Sequence, residues 1–233
     1  MTYAPARLVR YVADAGNLPI SASAAWLSAA ERHELDFFAH ADRRSQWLGG
    51  RWIAKRLITR SCEPADLRRV EVLSRSSDGL GKAPEVFVDG KPTNYRISVS
   101  HAGGALLVGM TTDATSIGVD LAWDVPQDRH FSAAWFTERE QAWLAERPES
   151  ASLLWGLKEA IFKSQGAGQT WNPRGVEIES YCDHEVRCTL YGRQLAPLAM
   201  WTRPSSRGMA TAVWQATAND TPAYPQQELS SCL

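Results

Sequence analysis

Trp155-Gly156-Leu157-Lys158-Glu159-Ala160-Ile161-Phe162-Lys163 sets one carboxylate between two lysines in a stretch of helical period. At about 100° per residue, Trp155, Glu159, Phe162 and Lys163 share one side of a helix, with Lys158 at its border. Leu153, Leu157, Ala160 and Ile161 share the opposite side, the natural core face. The first side then reads as a cleft wall with an acid, two bases and two aromatics. The alternative is a solvated face whose Glu159–Lys163 pair is worth only about 0.2–0.5 kcal/mol. Upstream, Gly118-Val119-Asp120 closes an apolar run. Two carboxylates can share one divalent cation, and two lysines can face phosphate oxygens. Together the motifs point to Mg²⁺-assisted chemistry on a phosphorylated substrate.

The 233 residues suffice for one large domain or two small ones. A net charge of −1 gives a nucleic-acid partner no support, and the ten tryptophans read as core and cleft packing. Basic residues still cluster at Arg43, Arg44, Arg51, Lys55 and Arg56. No run approaches the ~20 apolar residues of a membrane span. Met1 to Pro5 lacks the charged-then-apolar pattern of a signal segment. Cys62, Cys182, Cys188 and Cys232 are too few and scattered for a disulfide scaffold. These features predict a soluble cytoplasmic protein with no membrane or nucleic-acid partner.

The element order predicts an α+β chain of two similar halves. In the first, the capping-box spacing Ser28-Ala29-Ala30-Glu31 opens a helix towards His40, and a second helix spans 44–60. Strands follow at 70–73, 86–88, 95–99 and 105–111, the last two flanking Ser100-His101-Ala102-Gly103-Gly104. The second half has a strand at 116–122 and a capping box at Thr137-Glu138-Arg139-Glu140. The long helix 152–165 and strands at 176–180, 185–191 and 210–215 follow. Helix, helix, then strands recurs in both halves and suggests a duplicated unit. The expected divisions are 1–113, 114–217 and a polar tail at 218–233.

Five segments in this order resemble the 4′-phosphopantetheinyl transferase superfamily. Gly118-Val119-Asp120 and Trp155-x-x-Lys158-Glu159-Ala160-x-x-Lys163 look like its signature pair. Ile97-Ser98-Val99-Ser100-His101-Ala102-Gly103 resembles its Ser-His segment, and Gly81-Lys82-Ala83-Pro84 its Gly-Lys-Pro turn. Arg43-x-x-x-Trp47-Leu48-x-Gly50-Arg51 resembles the basic segment of the larger, Sfp-type members. The resemblance implies a pseudo-dimeric monomer that binds coenzyme A between its halves. It implies transfer of the phosphopantetheine arm to a serine of an apo acyl or peptidyl carrier protein, releasing 3′,5′-ADP.

On that resemblance, Asp120 and Glu159 hold Mg²⁺, and Glu159 also accepts the serine proton. Lys158 and Lys163 act on the pyrophosphate. His101, with Ser100 beside it, binds a phosphate of coenzyme A. Arg43, Arg75 and Lys82 hold the 3′-phosphate and adenine end, on the N-terminal side. Arg44, Arg51 and Lys55 share a helical stripe that could face coenzyme A or an acidic partner. The segment from Val125 to Phe136 is the candidate docking region for the carrier protein.

One position departs from the family pattern. Many members read Gly-x-Asp-x-Glu, whereas Ala122 stands at the fifth position here, with Asp124 two residues on. Ala122 keeps open a non-catalytic relative that binds coenzyme A or a carrier protein without transfer. Other chemistries are less well served. A Ser98 or Ser100, His101, Asp120 hydrolase lacks a Gly-x-Ser-x-Gly elbow. Gly79-Leu80-Gly81-Lys82 is not a P-loop. Cys182, His184 and Cys188 match no common zinc spacing.

Overall fold

A computed structural model describes residues 7–20, 24–61, 66–76, 79–113, 115–166, 168–182 and 184–215. The expected tail, the N-terminal Met1–Pro5 stretch, Cys62 and Cys232 lie outside them. Two compact units divide between Thr115 and Ser116.

The first unit holds strands β1 (Arg7–Val12), β2 (Val70–Arg75), β3 (Gly81–Val88), β4 (Lys91–Pro92), β5 (Arg96–Ala102) and β6 (Ala105–Thr111), with helices α1 (Ala29–Asp36) and α2 (Ala41–Ser61). Two antiparallel sheets form, in the orders β1-β6-β5 and β2-β3-β4. Ile53, Ala54, Leu57 and Ile58 of α2 pack into a core with Val72, Val86, Ile97, Leu106 and Met110. β5 runs three residues further than the expected end at 99, so Ser100, His101 and Ala102 belong to the strand. Only Gly103 and Gly104 make the turn, both at positive φ, with Ala102 paired to Ala105.

The second unit holds β7 (Ile117–Trp123), α3 (Arg129–Trp135), α4 (Glu138–Glu146), α5 (Ala151–Gln165), β8 (Val176–Cys182), β9 (Glu185–Leu190), β10 (Arg193–Gln194), β11 (Leu198–Ser205) and β12 (Gly208–Gln215). They form one antiparallel sheet in the order β10-β9-β11-β12-β7, with β8 on the other edge of β9. Leu154, Leu157 and Ile161 of α5 join Ile178, Val186, Met200 and Val213 in its core. β11 is absent from the sequence reading because Pro204 argues against a strand. β9 reaches only Leu198 and Ala199, and Pro204 faces Met209 of β12 alone.

Each unit contains the same buried charge device. In the first, Glu31 accepts from Ser28 N at 3.0 Å and from Val72 N at 3.1 Å. Ser28 Oγ accepts from Glu31 N, which completes the capping box of α1. Lys55 of α2 ion-pairs with Glu31, and both side chains are fully buried. In the second unit, Glu140 closes the capping box of α4 with Thr137 and accepts from Ile178 N at 2.9 Å. Lys158 of α5 lies 2.5 Å from Glu140, again with both side chains fully buried. One carboxylate thus ties a helix start, a long helix and a strand together in each unit. Burial pushes both lysine pKa values down, while the partnered glutamates pull the other way.

Arg51 and Lys55 of the basic stripe on α2 are therefore internal, which corrects their expected role in facing coenzyme A or a partner; Arg44 is half-buried. Arg51 is 4% exposed, bonds Glu34 at 3.3 Å and stacks over Trp47. Arg44 donates to the Leu35 carbonyl. In urea unfolding, Lys158→Met is expected to destabilise the protein by about 3–5 kcal/mol, because it leaves Glu140 charged and unpaired in the core. The Glu140→Gln/Lys158→Met double variant should lose less than Lys158→Met alone. A Lys158→Met loss below about 1 kcal/mol contradicts this reading.

Candidate active site

The site begins with a missing side chain. A Cβ added at Gly118 would lie 1.8 Å from the Ala160 carbonyl oxygen and 2.9 Å from Ser164 N. β7 and α5 therefore meet backbone to backbone, as only glycine permits at such a distance. Side chains alternate along β7, so Asp120 and Ala122 share the face of Gly118. Ala122 faces the other small residue of α5, since a Cβ on Gly156 would lie 3.3 Å from Ala122 Cβ. The line of α5 against β7 is thus Gly156, Ala160 and Lys163, with Glu159 beside it. Gly156 and Ala160 were the sequence signal for this contact, but the helical wheel assigned only Ala160 to packing.

That contact brings Asp120, Glu159 and Lys163 together. Lys163 Nζ lies 2.6 Å from Asp120 Oδ1 and 3.2 Å from both Glu159 Oε2 and the Val119 carbonyl oxygen. Asp120 is the deepest, with 6% of its side chain accessible, against 27% for Glu159 and 29% for Lys163. Burial, and then the Asp120 charge, push the Glu159 carboxyl above its usual range, while Lys163 pulls it down. Burial also opposes the Lys163 ammonium, but Asp120 and then Glu159 outweigh it and raise its pKa. Two carboxylates and a backbone carbonyl make an all-oxygen donor set of the kind hard divalent cations take. Mg²⁺ commonly binds one or two carboxylates and completes its shell with water and phosphate. The residues fit such an ion.

Lys158 is not part of this group, which corrects its expected place among phosphate ligands. Its ammonium is 2.5 Å from both Glu140 and the Val176 carbonyl, at zero exposure. Asp124 also stands apart. It lies at positive φ beyond the end of β7 and pairs with Arg207, which stacks on Trp123. Trp155 and Phe162 of α5 are half-buried and pack against the core of the second unit. Trp155 meets Phe131 at 5.2 Å, and Phe162 meets Trp171 at 4.9 Å.

In the first unit the structure brings Arg43 to His101, with Nη1 3.2 Å from Nε2. Donation by arginine requires that ring nitrogen to be unprotonated. Ser100 is 7% exposed and, by alternation along β5, faces the side opposite His101. Arg75 and Lys82 have other partners, near the turn end of the β2–β3 hairpin. Arg75 lies opposite Gly81, donates to the Gly79 carbonyl and stacks on Phe38 at 4.3 Å. Lys82 pairs with Glu85 at 2.5 Å. Glu31 and Glu140, which organise both units, were legible only as capping residues.

The raised Glu159 pKa has a stability consequence. Between the ordinary carboxylate value and the raised one, the folded chain holds a proton that the unfolded chain releases. Stability contributed at this position therefore falls as pH rises through that window. In EDTA, Glu159→Gln is expected to raise Tm relative to wild type at pH 8 and to leave it nearly unchanged at pH 4. A lower Tm for the variant at pH 8 contradicts the assignment.

No curated protein matches the chain. Residues 116–212, which span β7 to β12 and include Asp120, Glu159 and Lys163, match the sequence model of the 4′-phosphopantetheinyl transferase superfamily, and this part of the chain is similar to that superfamily.

Proposed function

We propose that this protein transfers the 4′-phosphopantetheine arm of coenzyme A to a serine of an apo acyl or peptidyl carrier protein, releasing 3′,5′-ADP. The observation that carries the reading is the convergence of Asp120, Glu159 and Lys163 within the matched stretch. The serine Oγ forms a bond to the β-phosphorus, and the bridging P–O bond to 3′,5′-ADP breaks. Mg²⁺ held by Asp120 and Glu159 would neutralise the charge that builds on the phosphoryl oxygens and fix an in-line geometry. Glu159 accepts the serine proton. Lys163 supplies a point charge to the pyrophosphate. Arg43 and His101, already adjacent, suit a phosphate of coenzyme A, whereas the Ser100 side chain, buried on the opposite face of β5, is not assigned to that contact. Arg75 and Lys82 are assigned to its 3′-phosphate and adenine end.

We also assign the chain to the larger, Sfp-type, pseudo-dimeric class, acting as a cytoplasmic monomer. The repeated Ser/Thr–Glu–Lys device supports an origin by duplication. Carrier docking is assigned to Val125–Phe136. That segment contains α3, capped by Asp128, and Arg129 lines a cavity of about 230 Å³ with Gln141 and Leu144. Arg129 beside the apolar Leu144 and Pro148 would meet an acidic carrier surface.

Ala122 favours one second reading, a non-catalytic relative. At 2% exposure it supplies packing against α5 where many superfamily members carry an acid. Intact-mass spectrometry of apo carrier proteins incubated with the protein, coenzyme A and Mg²⁺ distinguishes the two. Transfer adds about 340 Da to the carrier, the mass of the arm moved in the phosphoryl step. The gain should vanish in Asp120→Asn and Glu159→Gln. Coenzyme A binding with no gain on any carrier selects the non-catalytic reading.

A further inference from the structure

We propose that Lys163 is an internal counter-ion: it occupies the cation position of the Asp120–Glu159 centre when no metal is bound, and leaves when a divalent ion enters. The inference rests on the reading of that centre as a divalent-cation site. The Lys163 ammonium meets three oxygens, Asp120 Oδ1 at 2.6 Å, Glu159 Oε2 at 3.2 Å and the Val119 carbonyl at 3.2 Å. An ammonium has three donors, enough for these three contacts. They are also the hard oxygen donors that a divalent cation would take.

The charges explain why the lysine sits there. Two carboxylates on facing backbones repel each other, and the single charge of Lys163 offsets half of their combined charge. A divalent ion offsets all of it and repels the ammonium. Lys163 also has somewhere to go, since 29% of its side chain is accessible. Lys158, at zero exposure between Glu140 and a carbonyl, does not. The same helix thus carries one lysine built to stay and one able to exchange.

Two consequences follow. The apparent affinity of the empty site for a divalent ion is lowered, because the ion must displace Lys163. A phosphate-bearing ligand that receives the displaced ammonium then tightens ion binding, and by linkage the ion tightens the ligand by the same factor.

The test uses the full chain without nucleotide. Mn²⁺ binding is followed by the EPR signal of the free ion for wild type, Lys163→Met and Lys163→Arg. In parallel, acetic anhydride labelling of Lys163 in the wild type is read by peptide mass spectrometry with and without Mn²⁺. Lys163→Met is expected to bind Mn²⁺ tighter by about tenfold or more, the scale set by removing a unit charge a few ångströms away. Lys163→Arg, which keeps the charge, should bind no tighter than wild type. Labelling of Lys163 should rise several-fold on adding Mn²⁺. If wild type binds Mn²⁺ while Lys163 labelling stays flat, or if Lys163→Met binds no tighter, the counter-ion role is overturned and the cation site stands. If neither wild type nor Lys163→Met binds the ion, the cation site and the counter-ion role fall together.

Discussion

The approach of α5 to β7 at Gly118 governs what this chain can do chemically. A hydrogen in place of a side chain lets the Ala160 carbonyl rest where a Cβ would otherwise stand. Every other part of the centre is a consequence of that spacing. Asp120, two residues along the same strand face, is carried to the side of α5, where Glu159 and Lys163 meet it. Gly156 repeats the device one turn earlier, where its missing Cβ leaves room for Thr211 and Ala122. A carboxylate pair assembled on backbones in contact has little room to relax. Burial, and then the repulsion from Asp120, therefore act on the ionisation of Glu159 and raise its pKa.

The repeated glutamate–lysine device holds the elements behind this contact in place. In the second unit, Glu140 binds the start of α4, Lys158 of α5 and the backbone of β8 at once. Its low-dielectric setting makes each bond strong only while all are made. In the first unit the same arrangement fixes α2, the helix that also carries Arg43. In the N-terminal half, Arg51 and Lys55 are held internally by Glu34 and Glu31. Arg43 instead meets the His101 ring where α2 faces β5.

Sequence reading reached the carboxylate centre because its signals are local. Gly-x-Asp requires only strand alternation, and Glu159 and Lys163 require only helical period. It misplaced Lys158 because a residue at the border of a helical wheel turns either way, and a partner decides which. That partner, Glu140, lies on another helix, where its capping-box role accounted for it fully. Arg51 and Lys55 were misread for the same reason, since a stripe of basic residues does not disclose the buried carboxylates opposite it. The helix at Arg129–Trp135 is too short to establish a period, and Pro204 masked β11. Long-range pairing accounts for the misread lysines and arginine, and local sequence for the short helix and for β11.

The link between the α5–β7 contact and chemistry is the claim that Asp120 and Glu159 hold one divalent cation between them. Anomalous diffraction from crystals of the protein grown with Mn²⁺ tests it most directly. The account predicts an anomalous peak within coordination distance of both carboxylates, with Lys163 turned away from them. A bound ion ligated by neither residue, in crystals where both are ordered, would contradict it.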